Sequence, residues 1–429
     1  MFETVSRALR VADVRKKIAI SIGILLIYRL GAYVPVPGIP CEGMLNQFQT
    51  ALNDESALAL LNLFSGGALA RVSVFSLGIM PYITAQIILQ MLQAVVPSLQ
   101  ALSKEGEAGQ RKITQYTRYL TVGLALLNAV GYLFLFQSDT YGIDFTAIDA
   151  PLWLTSTIVV LAMVAGAVII MWMGELITQY GISNGMSLII FCNIMSGLPT
   201  SIISSWGTDL SGILWTIGVV LVVILVIPLI VYIERGQRRI PIQYAKRVVG
   251  RRVMGGQSTY LPIKVNTVGV IPIIFASAIL YFPAQIAVFF PTVDWIQATA
   301  NMISAGWLNW ILSVVLIVVF AYFYTSMVFN PQDTADQLRR QGGFIPGVRP
   351  GAATARYIQR TLNRITLPGA LFLALIAVVP SILFTFTNNA LIQAFGGTSI
   401  LIMVSVALEV ITQVESQLKT HDYDGLFIR

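Results

Sequence analysis

Residues 152–178 of the chain read LWLTSTIVVLAMVAGAVIIMWMGELIT. This stretch decides the class of fold, because it is apolar on every side and holds only one charged residue, Glu175. An amphipathic helix of a soluble protein would instead carry polar residues along one face, at a period of 3.6. About 20 apolar residues in a helix cross the ~30 Å hydrocarbon core of a bilayer. The stretch therefore predicts a membrane-spanning helix.

The composition of the whole chain extends this prediction. Of its 429 residues, 56% are apolar and 11% are charged, with a mean hydropathy of +0.76, whereas soluble domains are about a quarter charged. The strands of a membrane β-barrel would be only ~10 residues long and alternating. The sequence thus excludes a soluble globule, a disordered chain and a β-barrel, and predicts an all-α polytopic membrane protein. Ten apolar segments are expected to span the membrane: 18–37, 72–96, 114–136, 152–178, 186–205, 211–233, 267–290, 306–329, 366–388 and 396–416.

Lysine and arginine are almost confined to one set of connecting segments. Of the 27 Lys and Arg residues, 25 lie in 1–17, 97–118, 234–264, 330–364 and 417–429. The intervening loops hold none and carry eight carboxylates. Because basic loops favour the cytoplasmic side, both termini are expected in the cytoplasm, which agrees with an even number of spans. The two remaining basic residues, Arg29 and Arg71, lie within or beside membrane segments.

Residue types that support enzymatic or metal chemistry are scarce. The chain has two cysteines, Cys41 and Cys192, and one histidine, His421, in the polar C-terminal tail. It contains no GxxxxGKS/T phosphate loop, no GxGxxG after a strand and no HExxH motif. We therefore expect no catalytic residue, no metal site and no cofactor, and the chain is not predicted to be an enzyme.

Two of the basic segments, 234–264 and 330–364, are longer than orientation alone requires. In the first, strand-like runs on either side of Gly255-Gly256 predict a protruding β-hairpin. In the second, Arg349 lies among glycines and prolines at an irregular tip. One interpretation is positive-inside charge with attraction to anionic lipid; the favoured one is docking of a partner whose surface is acidic or is RNA. The candidate docking residues are Arg349, Arg235, Arg238, Arg239, Arg247, Arg251 and Arg252.

Two short segments interrupt the series of simple spans. Residues 58–71 are apolar but too short to cross, and they break at Ser65-Gly66-Gly67. This predicts a re-entrant or interfacial segment, with a surface-lying amphipathic helix as the alternative. Residues 181–185, GISNG, predict a tight turn that clamps two neighbouring spans as an antiparallel pair close to Glu175.

Several motifs occur in one order from the first span to the last. The longest are SLGIMPYITAQIILQ at 76–90 and WMGELITQYGISNG at 172–185. Shorter ones are YRLG at 28–31, PVPGI at 35–39, LPIKVN at 261–266, GVRPG at 347–351 and GGTS at 396–399. Together they resemble the SecY/Sec61-alpha family, the channel-forming subunit of the protein-conducting translocon.

The resemblance implies ten transmembrane helices in two pseudo-symmetric halves of five around a central pore. The halves would be 1–210, with a plug at about 58–71, and 211–429, with both long basic loops. The plug is expected to include Leu61, Phe64, Ser65, Gly66 and Gly67. The resemblance places a lateral gate at Thr84 and Phe282. It places a ring of apolar side chains in the pore at Ile79, Ile83, Met186, Ile190, Ile274 and Ile402.

The spacing of the ring residues agrees with the resemblance only in part. Residues 79 and 83, like 186 and 190, are four apart, so each pair lies on one helix face. Such spacing is equally typical of ordinary packing. A narrow apolar ring would hold no stable water column and would gate by dewetting.

The resemblance also implies a function and partners. Channels of this family pass unfolded secretory polypeptides across the bacterial cytoplasmic membrane and release transmembrane segments sideways into the bilayer. The implied partners are the small membrane subunits SecE and SecG, the motor ATPase SecA, the ribosome and polypeptides that carry signal sequences. SecDF and YidC are further candidates, and lipid surrounds the spans. ATP hydrolysis is expected in the motor partner.

Two other classes of membrane protein fit the sequence less well than a channel does. An inverted-repeat secondary transporter would need a polar site at the membrane midplane, and the main ionisable residues of the spans are Arg29 and two acids near span ends, Glu175 and Glu409. A membrane-embedded hydrolase would need a nucleophile and a base, and the single histidine lies in the tail. The sequence favours the channel over both.

Overall fold

The structure is a computed structural model in which thirteen helices and five strands occur within the described residues. It describes residues 10–37, 62, 65–137, 151–205, 210–244, 247–249, 252–254, 258–266, 269–289, 293–304, 306–387 and 396–427. Each of the ten predicted spans contains one long helix. The helices are α1 Ala12–Gly31, α2 Met80–Val95, α3 Pro97–Lys104, α4 Glu107–Gln137, α5 Leu152–Tyr180, α6 Gly185–Ser205, α7 Leu210–Glu234, α8 Ile271–Phe289, α9 Asp294–Ser304, α10 Trp307–Val328, α11 Pro331–Arg340, α12 Ala352–Thr387 and α13 Gly397–Phe427. The strands are β1 Gln237–Tyr244, β2 Arg247–Val249, β3 Arg252–Met254, β4 Ser258–Lys264 and β5 Gly343–Phe344.

The long helices leave much of their apolar surface on the outside of the bundle. On α7, Leu221, Ile224 and Leu225 are each at least 60% exposed. Among the described helices, five are long and apolar enough to cross a membrane by length and composition alone. They lie in α5, in α7, in α10 continued by α11, in α12 and in α13, and α2 with α3 forms a further candidate bent by 100°. Such a surface is stable only against lipid, because exposing it to water would forfeit about 25 cal/mol for each Å².

The second predicted span, 72–96, is only partly helical. Helix α2 begins at Met80, with Pro81 in its first turn, and residues 65–79 form turns instead. Proline suits this place because the first helical turn does not need its amide hydrogen. Gly78 has a φ of 54°, a left-handed conformation that glycine adopts without strain. The apolar run 72–79 is therefore a buried non-helical segment, and the prediction that it is helical is wrong.

Residues 65–79 are held inside the bundle between α4 and α5. Val72 and Leu77 belong to an apolar cluster that includes residues of both helices. A Cβ atom at Gly166 of α5 would lie only 2.0 Å from the carbonyl oxygen of Val74, so glycine permits this close backbone approach. The Val36 amide donates to the Val72 carbonyl at 3.0 Å. Such pairing allows irregular backbone at membrane depth.

The basic segment 234–264 forms the predicted hairpin. Strand β1 pairs antiparallel with β4, from Gln237 opposite Lys264 to Gln243 opposite Ser258. The short strands β2 and β3 pair with each other. Gly255-Gly256, expected between the strands, lies outside the described residues.

The second basic segment, 330–364, joins the hairpin in one folded unit. It comprises α11, β5 and the start of α12, and its irregular tip is limited to 345–351. Strand β5 pairs with β1, which gives the sheet the order β4-β1-β5. We call β1, β4, β5, α11 and the first three turns of α12 the extramembrane unit. It has its own apolar core of Ile240, Ile242, Ile263, Leu338, Ile345, Ile358 and Leu362.

The main apolar core of the bundle combines residues of both predicted halves. It draws on α1, α2, α5 and α6 from the first half and on α7, α8, α10, α12 and α13 from the second. Helix α8 contacts α4, and α13 contacts both α6 and α1. The core therefore lies where the two halves meet. The boundary itself, between 210 and 211, stays a prediction.

Candidate pore site

The six side chains of the predicted ring lie in one apolar cluster. Ile79, Ile83, Met186, Ile190 and Ile402 are buried, and Ile274 is half-buried and packs against them. They come from four helices and from the residue that precedes α2. This cluster is the main core of the bundle and includes many other residues, so sharing it does not by itself make the six a ring. Their role as a pore constriction stays a prediction.

A cavity of about 620 Å³ extends between the two halves and reaches this cluster. Four ring residues, Ile83, Met186, Ile190 and Ile274, are part of its lining. The lining also includes Glu234 at the end of α7, Lys264 at the end of β4 and Glu409 on α13. These charged residues lie on the side of the extramembrane unit, because α7 leads directly into β1. The cavity thus has a charged rim on that side and an apolar part at the ring.

Hydrogen bonds at the charged rim connect elements that are far apart in sequence. The Ser405 hydroxyl of α13 donates to the Glu234 carboxylate. The Ser183 hydroxyl donates to a Glu409 oxygen at 3.5 Å, and Gln413 donates to the same oxygen at 3.4 Å. Ser183 lies in the tight turn 181–185, which the structure confirms between α5 and α6. The contact between Ser183 and Glu409 therefore joins the two predicted halves.

The second intramembrane acid, Glu175, pairs with an arginine of a neighbouring helix. The Arg118 Nε donates to Glu175 Oε1 at 2.8 Å, and its Nη2 donates to Oε2 at 2.7 Å. This two-point geometry is the strongest arrangement for an arginine and a carboxylate. It ties α4 to α5. Glu175 is thus a packing group of the bundle, whereas Glu409 is exposed and lines the cavity.

Within the predicted plug, 58–71, the structure describes residues 62 and 65–71, and residues 65–67 lie against α1 and α6. The Arg29 Nη1 donates to the Gly66 carbonyl oxygen at 2.7 Å. Gly66 has a φ of 67°, and a Cβ atom there would lie 2.6 Å from Asn193 Oδ1. The Ser65 hydroxyl accepts from the Leu69 amide at 3.1 Å. Leu61 and Phe64, also predicted for the plug, lie outside the described residues.

Arg29 is a charged residue inside a predicted span to which the resemblance assigns no role. Its guanidinium lies 5.5 Å from the centre of the Tyr33 ring, and that of Arg71 lies 4.1 Å from it. Both arginines are half-buried. A charge in an apolar run needs an acceptor or a π face. That requirement was visible in the sequence, whereas the identity of the acceptor, the carbonyl of Gly66, was not.

The two predicted gate residues lie on the helices that the resemblance implies, but in different surroundings. The Thr84 hydroxyl donates to the Met80 carbonyl of its own helix at 3.0 Å. Phe282 is 51% exposed and precedes Pro283 inside α8. Helix α8 contacts α4, which packs on α2. A gate at these residues stays a prediction.

The predicted docking arginines lie on the extramembrane unit or at its edge. Arg235, Arg238, Arg239 and Arg349 are exposed, and the Arg239 guanidinium stacks 4.8 Å from the centre of the Tyr260 ring. Arg247 and Arg252 are in β2 and β3, and Arg251 lies outside the described residues.

The tip that carries Arg349 is a tight, defined turn. Gly347 and Gly351 have φ values of 79° and 103°. The Thr354 hydroxyl donates to the Arg349 carbonyl at 2.9 Å. Buried Ile345 anchors the start of the tip in the core of the unit. The Arg349 side chain is therefore presented to solvent from a fixed backbone.

Sequence comparison assigns the chain to a known family. The family model described as SecY matches residues 73–411. The protein translocase subunit SecY of Streptomyces coelicolor is 44% identical over 449 residues, which cover 100% of both chains. That of Corynebacterium glutamicum is 44% identical over 438 residues, 98% of both chains.

Solved structures with the same fold agree. One described as "The structure of a protein conducting channel" has a TM-score of 0.62 and 18% identity, and covers 94% of this chain and 92% of its own. The structure "Sec61 in the Canine ribosome-channel complex from the endoplasmic reticulum" has a TM-score of 0.59 and 17% identity, with the same coverage. At these identities the structural likeness shows the fold.

Proposed function

Since this chain belongs to the SecY family and is a channel subunit of a protein translocase in the bacterial membrane, we propose that unfolded secretory polypeptides cross between its two halves. The observation that carries this proposal is the cavity that leads from a charged rim to an apolar part lined by four of the six ring residues, Ile83, Met186, Ile190 and Ile274. Channels of this kind are not themselves catalytic. The transporter alternative is not favoured.

The apolar ring supports a gate that works without charge. A narrow apolar constriction excludes a continuous water column, so ions cannot cross while it is closed. Isoleucine and methionine side chains offer an extended chain no specific hydrogen bond, so polypeptides of many sequences can pass. Met186 adds an unbranched, flexible side chain to the ring. The proposed ring is thus a seal that yields to a chain and closes behind it.

The segment around Gly66 supports a second barrier. Its backbone is held by Arg29 through one hydrogen bond from a charged donor. Such a bond contributes about 1.5–3 kcal/mol, which is enough to favour the closed position and small enough to be overcome. We expect this segment to act as the plug and to leave its seat when a polypeptide enters.

The lateral gate would lie between α2 and α8, at Thr84 and Phe282. Apolar segments of a passing chain would leave the pore there, because burial in lipid is worth about 25 cal/mol for each Å². The exposed Phe282 next to Pro283 is suited to a helix that moves. Proline removes one backbone hydrogen bond and weakens the helix at that point.

On the extramembrane unit, the tip 345–351 and the arginines of β1 are the proposed docking surface for partners. Arg349 and the arginines of β1 form a cationic, structured surface, which suits the ribosome and a motor ATPase such as SecA. The proposed membrane partners are SecE and SecG. We propose that the extramembrane unit and both termini lie in the cytoplasm, because lysine and arginine are concentrated in the segments on that side.

Site-specific cross-linking tests the conduit directly. A photoreactive residue replaces Ile83 or Ile190, and a secretory polypeptide is stalled during export. Both positions are expected to label the stalled chain. Matched probes at the exposed positions Leu221 and Leu225 of α7 are expected to label lipid. Labelling of the polypeptide only from α7 would overturn the assignment of the pore.

A further inference from the structure

A groove on the outside of the bundle is rich in arginine and takes no part in the proposed pore. It lies between α10 and α12, where α12 joins the extramembrane unit, and has a volume of about 540 Å³. Its arginines are spaced four residues apart, so their side chains share one face of α12. The lining residues are Tyr322, Arg356, Gln359, Arg360, Asn363, Arg364 and Leu367.

Nothing in either helix neutralises these arginines. The sequences of α10 and α12 contain no Asp or Glu, and none of the described lining residues is acidic. The Tyr322 hydroxyl donates to the Asn363 carbonyl at 3.1 Å and so bridges the two helices. The groove is therefore a braced depression that concentrates positive charge. Such a site favours an anionic ligand.

Beyond the arginines, exposed apolar residues continue along α12 in a stripe that begins beside Arg364 and winds around the helix, since each step of four residues turns it by about 40°. About nineteen residues separate Arg364 from Leu383, which at 1.5 Å per residue is about 28 Å and matches the hydrocarbon core. The predicted span 366–388 begins just after Arg364, so the arginines are expected where α12 leaves the bilayer, with Leu367 and Leu371 directly below them. The members of the stripe are Leu367, Leu371, Leu375, Val379 and Leu383, which are 42–60% exposed.

We propose that this groove binds an anionic phospholipid. The phosphate lies between Arg360 and Arg364, and one acyl chain runs along Leu367 and Leu371. Guanidinium groups bind phosphate oxygens at two points, and basic pockets between transmembrane helices at the membrane surface suit acidic headgroups. An acidic protein surface would satisfy the arginines but would leave the apolar stripe unused. The site is independent of the proposed conduit.

Native mass spectrometry of the full-length protein in detergent tests the proposal. The probes are phosphatidylglycerol and phosphatidylcholine with the same acyl chains. Phosphatidylglycerol is expected to bind the wild type preferentially. The affinity of the double variant Arg360→Gln/Arg364→Gln for phosphatidylglycerol is expected to be about 30-fold lower, since each basic residue contributes about 1 kcal/mol to the binding of an anionic lipid.

A charge-matched control separates this site from general attraction. Arg339→Gln/Arg340→Gln removes two exposed arginines from α11 on the same extramembrane unit. It is expected to change the affinity less than twofold. Equal losses in the two double variants would show diffuse attraction and overturn the proposal.

Two further measurements keep the proposal open to refutation if the groove variant folds poorly. A photoreactive phosphatidylglycerol is expected to label residues 352–371 of the wild type, and labelling elsewhere alone would contradict the site. Glycerol 3-phosphate, which has the headgroup phosphate without acyl chains, is expected to compete only weakly. Competition equal to that of the lipid would identify a site for free phosphates instead.

Discussion

Gly66 and Gly67 are adjacent and share a left-handed backbone, yet their surroundings differ. Their φ values are 67° and 82°, so alanine at either position is strained by about 1–2 kcal/mol. A Cβ atom at Gly66 would also meet Asn193 Oδ1 at 2.6 Å, whereas at Gly67 the nearest atom is 3.9 Å away. Gly66→Ala is therefore expected to dislodge the plug, and to raise the ion conductance of the resting channel about tenfold above that of Gly67→Ala. Planar-bilayer recordings measure both.

The adjacent variant is the control for backbone strain. If both alanine variants conduct equally, strain alone explains the effect and the contact with Asn193 has no part in it. If Gly66→Ala conducts like the wild type, residues 65–67 do not seal the channel. Thermal unfolding of both variants in detergent shows whether either change affects the whole bundle.

At the scale of elements, the pair of Arg118 and Glu175 fastens α4 to α5. Its two short hydrogen bonds and the 19% exposure of the Glu175 side chain favour a measurable coupling, although Arg118 is 44% exposed and partly screened. A double-mutant cycle with Arg118→Gln and Glu175→Gln is expected to give about 1 kcal/mol. The measurement is thermal unfolding of the purified protein.

A second ion pair of the same helix provides the comparison. Arg111 and Glu107 of α4 lie 3.7 Å apart with side chains 84% and 93% exposed. Exposed pairs at this spacing contribute little, so the same cycle there is expected to show no resolvable coupling. A coupling at Arg118 and Glu175 no larger than this one would contradict a fastening role.

The docking role of the tip 345–351 can be tested by reversing the charge of Arg349. Arg349→Glu is expected to lower ATP-driven export in membrane vesicles about tenfold or more, because a like charge at a docking surface is strongly unfavourable. Thermal unfolding is expected to change little, since the side chain is exposed. Arg340→Glu, on nearby α11, makes the same charge change away from the tip and is expected to export normally. Normal export by Arg349→Glu would remove the docking role.

At the scale of the whole molecule, hydropathy and charge predict the spans because each depends on local sequence alone. The hairpin of 234–264 could also be predicted, since polar and apolar residues alternate along its strands. The start of α2 at Met80 could not be predicted, because residues 72–79 are as apolar as the helix that follows them. Their turns depend on Gly78 and on packing against Gly166 of a distant span.

Contacts between residues far apart in sequence could not be predicted either, because they depend on how distant segments pack and not on local sequence. The bond from Arg29 to Gly66 and the pairing of Arg118 with Glu175 link residues 37 and 57 positions apart. The extramembrane unit is closed by a strand of two residues, β5, too short to carry a pattern. The motifs led to the ring residues through resemblance; four of them, Ile83, Met186, Ile190 and Ile274, line one cavity, and the ring itself stays a prediction.

The whole bundle must open along the interface between its halves if polypeptides pass there. Ile83 of α2 and Ile274 of α8 line the same cavity from opposite halves. The test uses a variant in which Cys41 and Cys192 are replaced by serine and Ile83 and Ile274 are replaced by cysteine. A cleavable bifunctional thiol reagent of about 10 Å, the diameter of a helix, then cross-links the two new cysteines. We expect export to stop and to resume on cleavage, because a short tether prevents the ring from widening. The same double variant treated with a monofunctional reagent of equal size controls for bulk in the pore. Continued export through channels that mass spectrometry shows to be fully stapled would mean that polypeptides cross elsewhere.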